Sequence, residues 1–183
     1  KCPGPTWTSR APPGKAARPK ALRGAPSGCW WNFDGPGREQ VTEVAFHFGA
    51  PNKLEYAGRL LRKAVGRGAR LVVLGSHELV RRLDSHLWAQ SPTEFLAHCV
   101  DGDPLASRSP VVLATALQAD WPADRVLLNL SDVVPHGFER FDRVIEVVSH
   151  DEEDRMAARA RWKHYAQQGI AIQKHDLNLK GAA

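Results

Sequence analysis

The sequence predicts an α/β fold, in which helices cover both faces of an open, mostly parallel, twisted sheet. Three observations lead to this prediction. From Val41 onward, segments with strand character alternate with segments of helical periodicity. The strand segments are nearly all apolar, as in RLVVL at residues 70–74, and such runs are typical of strands covered on both faces. The first two helical segments carry an apolar face that a sheet could cover.

The first half of this region contains two predicted strand–helix units. Strands are predicted at residues 44–48 and 70–74. Helices are predicted at Asn52–Val65 and His77–Trp88, because their aliphatic residues recur at helical spacing. Ser76 is the expected N-cap of the second helix, where its hydroxyl can accept a hydrogen bond from an N–H group of the first turn.

The second half continues with further β-rich segments and a long final helix. The predicted strands are Phe95–Val100, Val111–Thr115, Arg125–Leu130 and Arg143–Val148. The final helix is predicted at Asp151–Gln168, and Gly169 ends it. Its adjacent acidic residues could hold a cation, but they are better explained as charges that stabilise the positive end of the helix dipole.

The positive charge of the chain is confined to its beginning. The formal net charge is +5, from 25 Lys and Arg residues against 20 Asp and Glu residues. Seven of the basic residues and two of the acidic residues lie within residues 1–40, so residues 41–183 carry 18 of each. The predicted α/β region is therefore neutral, and the high isoelectric point gives no support for attraction of the whole domain to DNA.

Residues 1–40 are predicted to be a disordered, basic tail that is rich in proline and glycine. They contain seven Pro and six Gly and almost no aliphatic residues, so they cannot bury enough apolar surface to offset the loss of backbone entropy. One interpretation is that Val41 is the initiator and that residues 1–40 are translated upstream sequence. Mass spectrometry of the natural N-terminus would test it. The α/β domain is predicted to span residues 41–180.

A cytoplasmic location is expected. The three cysteines show no C-x-x-C spacing, which is consistent with a reducing compartment. No apolar run approaches the ~18 residues of a membrane span, so no membrane partner is expected.

The loops at which such a fold usually binds nucleotides lack the required glycines. The first two strand-to-helix turns read HFGAPNK and LGSHEL, and neither matches G-x-G-x-x-G or the phosphate-binding P-loop. The sequence also lacks a G-x-S-x-G elbow and an H-E-x-x-H metal motif. We therefore expect a Rossmann-like topology without nucleotide-binding loops, with no catalytic residue, cofactor or metal.

Cationic and aromatic residues are interleaved in the final helix, in ARARWKHYAQQG at residues 158–169. Arg159, Trp162 and Lys163 share one face, because they lie at positions i, i+3 and i+4. This face could bind an apolar peptide side chain together with a carboxylate, or it could contact nucleic acid. Alternatively, Trp162 packs on the sheet while both cations extend into water.

Several segments, in the same order, resemble the chi subunit of bacterial DNA polymerase III. They are VTEVAFHF from residue 41, RLDSHLWAQSPTEFLAH at residues 82–98, and LLNLSDVVP with FERFDRVIEVVSHDEEDRMAARARWKHYAQQG within residues 127–169. The resemblance extends from Val41 to about Leu177. It implies a non-catalytic α/β accessory subunit in DNA replication. Such a subunit binds the psi subunit of the clamp-loader complex and the C-terminal tail of single-stranded-DNA-binding protein, so that it meets DNA only indirectly.

The resemblance also implies the residues that bind this tail, which is acidic and ends in an apolar residue with a free carboxylate. Arg159 would pair with the terminal carboxylate, and Lys163 would attract the acidic residues. Trp88 and Phe95, expected beside the final helix, would enclose the apolar end together with Trp162. The family often has Tyr at this last position, so an indole N–H here replaces a hydroxyl. Direct binding of single-stranded nucleic acid by the same face is the alternative function.

Overall fold

The computed structural model describes residues 42–89, 95–118, 121 and 124–177. The predictions for residues 1–40 and for the ends of the 41–180 domain therefore lie outside the described residues. None of the described helices has the length and apolar character of a membrane span.

The described strands form one sheet. They are β1 (Glu43–Ala50), β2 (Leu71–Leu74), β3 (His98–Val100), β4 (Val111–Ala114), β5 (Val126–Asn129), β6 (Arg143–Ser149) and β7 (Ile172–Asp176). Their order across the sheet is β3-β4-β2-β5-β6-β1-β7, and each neighbouring pair is parallel. The predicted open α/β sheet is confirmed.

Three helices and one short 3₁₀ turn accompany these strands. The helices are α1 (Lys53–Val65), α2 (His77–Ala89) and α3 (Glu152–Gln167), and the 3₁₀ turn is Phe138–Arg140. The Asn52 side chain caps α1 by accepting hydrogen bonds from the backbone N–H groups of Leu54 and Glu55. Ser76 accepts from the N–H of Leu79 at the start of α2, as the sequence predicts.

The helices cover opposite faces of the sheet. Successive residues of a strand point to opposite faces. On β1, His47 makes a 2.5 Å hydrogen bond to Tyr56 of α1, whereas the neighbouring Phe46 contacts the rings of Tyr165 and Trp162 on α3. Since α2 packs against α1, both lie on one face of the sheet, and α3 lies on the other.

Two strands differ from the sequence prediction. The strand predicted at Phe95–Val100 is shorter, because only His98–Val100 pairs with β4. The edge strand β7 was not predicted at all. Its residues read IQKHD, with a single aliphatic side chain. The strand pairs with β1 on one side only, and an edge strand needs less apolar character than a strand inside the sheet.

Candidate functional site

A buried polar cluster fixes the orientation of α3 on the sheet. Glu146 of β6 is fully buried, and its carboxylate accepts hydrogen bonds from three side chains. The donors are Arg161 Nε at 2.9 Å, Tyr165 OH at 2.8 Å and Asn129 Nδ2 at 2.9 Å. Burial raises the pKa of Glu146, and the charge of Arg161 acts in the opposite direction. Because Arg161 and Tyr165 point inward, the side chains on the opposite side of α3 face solvent.

Trp162 lies at the boundary between this core and the solvent. Its ring centroid is 4.9 Å from that of Phe46 and 6.2 Å from that of Phe48, both on β1. The Nζ atom of Lys174, on β7, lies 4.8 Å from the centroid of the same indole. Trp162 therefore packs on the sheet, which is one of the alternatives that the sequence left open. It also lies beside exposed cations.

Arg159 and Lys163 extend from α3 into solvent. The Arg159 side chain is 66% exposed, and its only described ion-pair partner is Glu152, at 3.5 Å. Glu152 also holds Arg155, at 3.0 Å, so one exposed carboxylate bridges two guanidinium groups. We call Arg159, Trp162 and Lys163 the helix surface. Exposed ion pairs of this kind are weak, so a carboxylate from a partner could displace Glu152.

Trp88 and Phe95 form a second exposed aromatic surface, which we call the aromatic edge. Their side chains are 60% and 70% exposed, and their ring centroids are 5.3 Å apart. The Trp88 ring also lies 5.1 Å from the ring of His98 on β3. His98 in turn has its Nε2 atom 3.2 Å from a carboxylate oxygen of Asp84, which ties β3 to α2.

The structure separates these two surfaces and corrects the expectation that Trp88 and Phe95 lie beside the final helix. The aromatic edge is at β3, which ends the sheet on one side, whereas Trp162 packs over β1. Five strand spacings separate β3 from β1, which amounts to roughly 24 Å at the usual spacing. The α2 helix that carries Trp88 also lies on the face opposite α3. The five predicted residues therefore cannot enclose one side chain.

An ion pair occupies the crevice in which open α/β sheets usually bind ligands. Strands β1 and β6 are neighbours, and they are followed by α1 and α3 respectively. Because these two helices lie on opposite faces of the sheet, the chain leaves the two carboxyl ends in opposite directions, which is the topological switch point of such a fold. There Lys53 Nζ lies 2.8 Å from Asp154 Oδ1, and the Ser149 N–H donates to Asp154 Oδ2 at 2.6 Å. The side chains of Lys53 and Asp154 are 15% and 8% exposed, so the chain fills this crevice with its own charges.

Comparison with known proteins identifies the family. The family model described as DNA polymerase III chi subunit, HolC, matches residues 41–173. The chain belongs to the DNA polymerase III chi subunit family. A protein of Pseudomonas aeruginosa named DNA polymerase III subunit chi is 30% identical over 126 residues, which cover 68% of this chain and 87% of the relative. A protein of the same name from Haemophilus influenzae is 24% identical over 111 residues, covering 60% and 77%. The chi family is a family of replication accessory subunits in bacteria.

One cation beside the helix surface has little signal in the sequence. Lys174 approaches Trp162 from a strand that was not predicted, so its side chain could not be assigned to this surface. A weak signal was present. Ile170 and Ile172 alternate along the chain and both pack against the core cluster beneath α3, and Lys174 continues the same alternation.

Proposed function

We propose that the chain is a non-catalytic accessory subunit that links the clamp loader, through psi, to the C-terminal tail of single-stranded-DNA-binding protein. The observation that carries the proposal is the helix surface, where two exposed cations flank an indole in a chain of the chi family. It acts in the cytoplasm and reaches DNA only through the coat protein. The contacts need no cofactor.

The chemistry of the helix surface suits an acidic tail with an apolar end. The Arg159 guanidinium can form two parallel hydrogen bonds with a terminal carboxylate. Lys163 attracts the acidic residues that precede it, and Trp162 provides an apolar wall for the last side chain. A single exposed site of this kind binds weakly, and the several tails of an oligomeric coat protein strengthen the attachment. Binding should weaken as salt is added, because the charges are exposed.

Two separate surfaces also suit a linker with two partners. We restrict tail binding to the helix surface, since Trp88 and Phe95 lie on the other face of the sheet and far along it. Contiguous exposed apolar surface is a feature of sites that contact another protein. In this proposal the aromatic edge is available to psi while a tail occupies α3.

Arg159→Ala is expected to weaken binding of a tail peptide by about 1.5–3 kcal/mol, the range for a hydrogen bond to a charged group. Fluorescence anisotropy with a labelled peptide would measure the change. Arg82→Ala is the matched control, because Arg82 is also exposed and paired with a glutamate, but on α2. An Arg159→Ala variant that binds as tightly as the Arg82→Ala variant would refute the assignment.

Glu152→Gln is expected to strengthen tail binding by about twofold, because the Glu152 carboxylate competes for Arg159 in a weak exposed pair. The same titration measures the gain. Glu153→Gln removes an equal charge from the same helical turn, and Glu153 has no described pair with Arg159. Equal gains in both variants would show a general charge effect and not the release of Arg159.

Direct binding of single-stranded nucleic acid is a second candidate, because Lys174 lies over the Trp162 indole and Arg155, Arg159 and Lys163 are exposed on the same helix as this indole. The neutral charge of residues 41–183 argues against it. Pull-down with full-length single-stranded-DNA-binding protein and with a form lacking its last residues separates the two functions. Retention that depends on those residues supports tail binding. Equal retention of naked single strands supports the second candidate.

A further inference from the structure

Lys174 lies on the same face of the sheet as α3. It pairs in register with Phe46 of the neighbouring strand β1, and Phe46 contacts Trp162 from below. The Lys174 side chain is exposed, yet its ammonium lies over the indole of Trp162, at 4.8 Å from the ring centroid. The indole thus contacts Phe46 and Phe48 of the sheet. Its ring also contacts the cation of the edge strand.

Cations therefore approach Trp162 from two different elements. Arg159 and Lys163 come from α3, one turn before Trp162 and one residue after it, whereas Lys174 comes from β7. The contact with an indole is a favourable one for an ammonium, but it does not neutralise the charge. Lys174 makes no ion pair with a described residue, so its charge remains available to a carboxylate.

The geometry of a chain terminus makes such an exchange possible. The side chain and the carboxylate of a terminal residue are attached to the same Cα, so both can reach groups that lie side by side. An apolar side chain placed against Trp162 would take the position of the Lys174 ammonium. The displaced ammonium would then be next to the carboxylate of the same residue, where a charge-assisted hydrogen bond can form.

We propose that Lys174 is a further tail-binding residue, which leaves the Trp162 ring when the tail binds and pairs with its terminal carboxylate. This inference rests on the proposed function, because it assigns a new contact within the same surface. It makes the site a two-element clamp, with the guanidinium of Arg159 supplied by α3 and the ammonium of Lys174 supplied by β7.

The test uses the full chain and two labelled peptides, each a run of aspartates followed by a C-terminal phenylalanine. One peptide has a free carboxylate, and the other has a terminal amide. Lys174→Met keeps the length of the side chain and removes the charge. It is expected to weaken binding of the free acid by about two- to fivefold, the range of an exposed ion pair, with a much smaller effect on the amide. Lys174→Arg should restore the preference for the free acid.

The control is Lys63→Met, which removes the same charge from an exposed position of α1 on the opposite face. It should leave both affinities unchanged. If Lys174→Met leaves the ratio of free-acid to amide affinity unaltered, the inference is overturned. The Arg159→Ala variant tests the proposed function separately. If the wild-type chain binds neither peptide, the proposed function itself fails, and the role of Lys174 fails with it.

Discussion

Replacing Glu146 with glutamine is expected to lower the free energy of unfolding by about 3–5 kcal/mol, the usual cost of removing one partner from a buried ion pair. Glu146 is fully buried, and Arg161 is only 2% exposed. Glutamine keeps the shape of the side chain but leaves the Arg161 charge without its counter-ion. Among the described residues, the other carboxylate within reach is that of Asp154, whose Oδ1 atom lies 4.0 Å from Arg161 Nη2.

Urea denaturation followed by circular dichroism would measure this change. Glu153→Gln serves as control, because it removes an exposed carboxylate from the same helix and should change stability by less than about 1 kcal/mol. A double variant with Glu146→Gln and Arg161→Met should recover part of the lost stability, because it removes the unpaired buried charge while the glutamine oxygen still accepts from Tyr165. Glu146→Gln with wild-type stability would mean that the pair contributes nothing.

The sequence predicted most of the fold because most elements carry their own local signal. The central strands are apolar at nearly every position, as in LVVL of β2 and VLLN of β5, and helix α1 has aliphatic residues at helical spacing. The inward face of α3 is different, because it includes the buried, charged Arg161. From the sequence, an arginine is expected to be exposed to solvent. The burial of Arg161 is possible because the carboxylate of Glu146 lies beneath it.

The candidate site could be predicted only where its residues share one element. Arg159, Trp162 and Lys163 share one side of α3, and helical spacing alone decides that. The positions of Trp88 and Phe95 depend on the order of the strands, which no local pattern contains. Lys174 depends on the pairing of an edge strand whose polar sequence gives little signal. Contacts between elements were therefore the part that the sequence left undetermined.

Replacing Asp154 with asparagine is expected to lower the free energy of unfolding by about 2–3 kcal/mol at neutral pH. Burial alone would raise the pKa of Asp154, but the hydrogen bonds from Lys53 and from the Ser149 N–H outweigh it and hold the pKa below its usual value of 3.8. The unfolded chain therefore binds a proton at this residue more readily than the folded chain does. The stabilisation is complete above the unfolded pKa and is lost as the pH falls through the folded pKa.

Urea denaturation of both proteins at neutral pH and at successively lower pH values would test this dependence. The difference in stability between wild type and Asp154→Asn should shrink as the pH drops below about 4, because protonation removes the same charge from the wild-type protein. Asp132→Asn is the matched control, since Asp132 is exposed and has no described ion pair. A difference that stays constant with pH would show that Asp154 acts through the shape of its side chain and not through its charge. The ion pair with Lys53 would then contribute little to joining the starts of α1 and α3, which diverge from β1 and β6, the adjacent strands that position the helix surface.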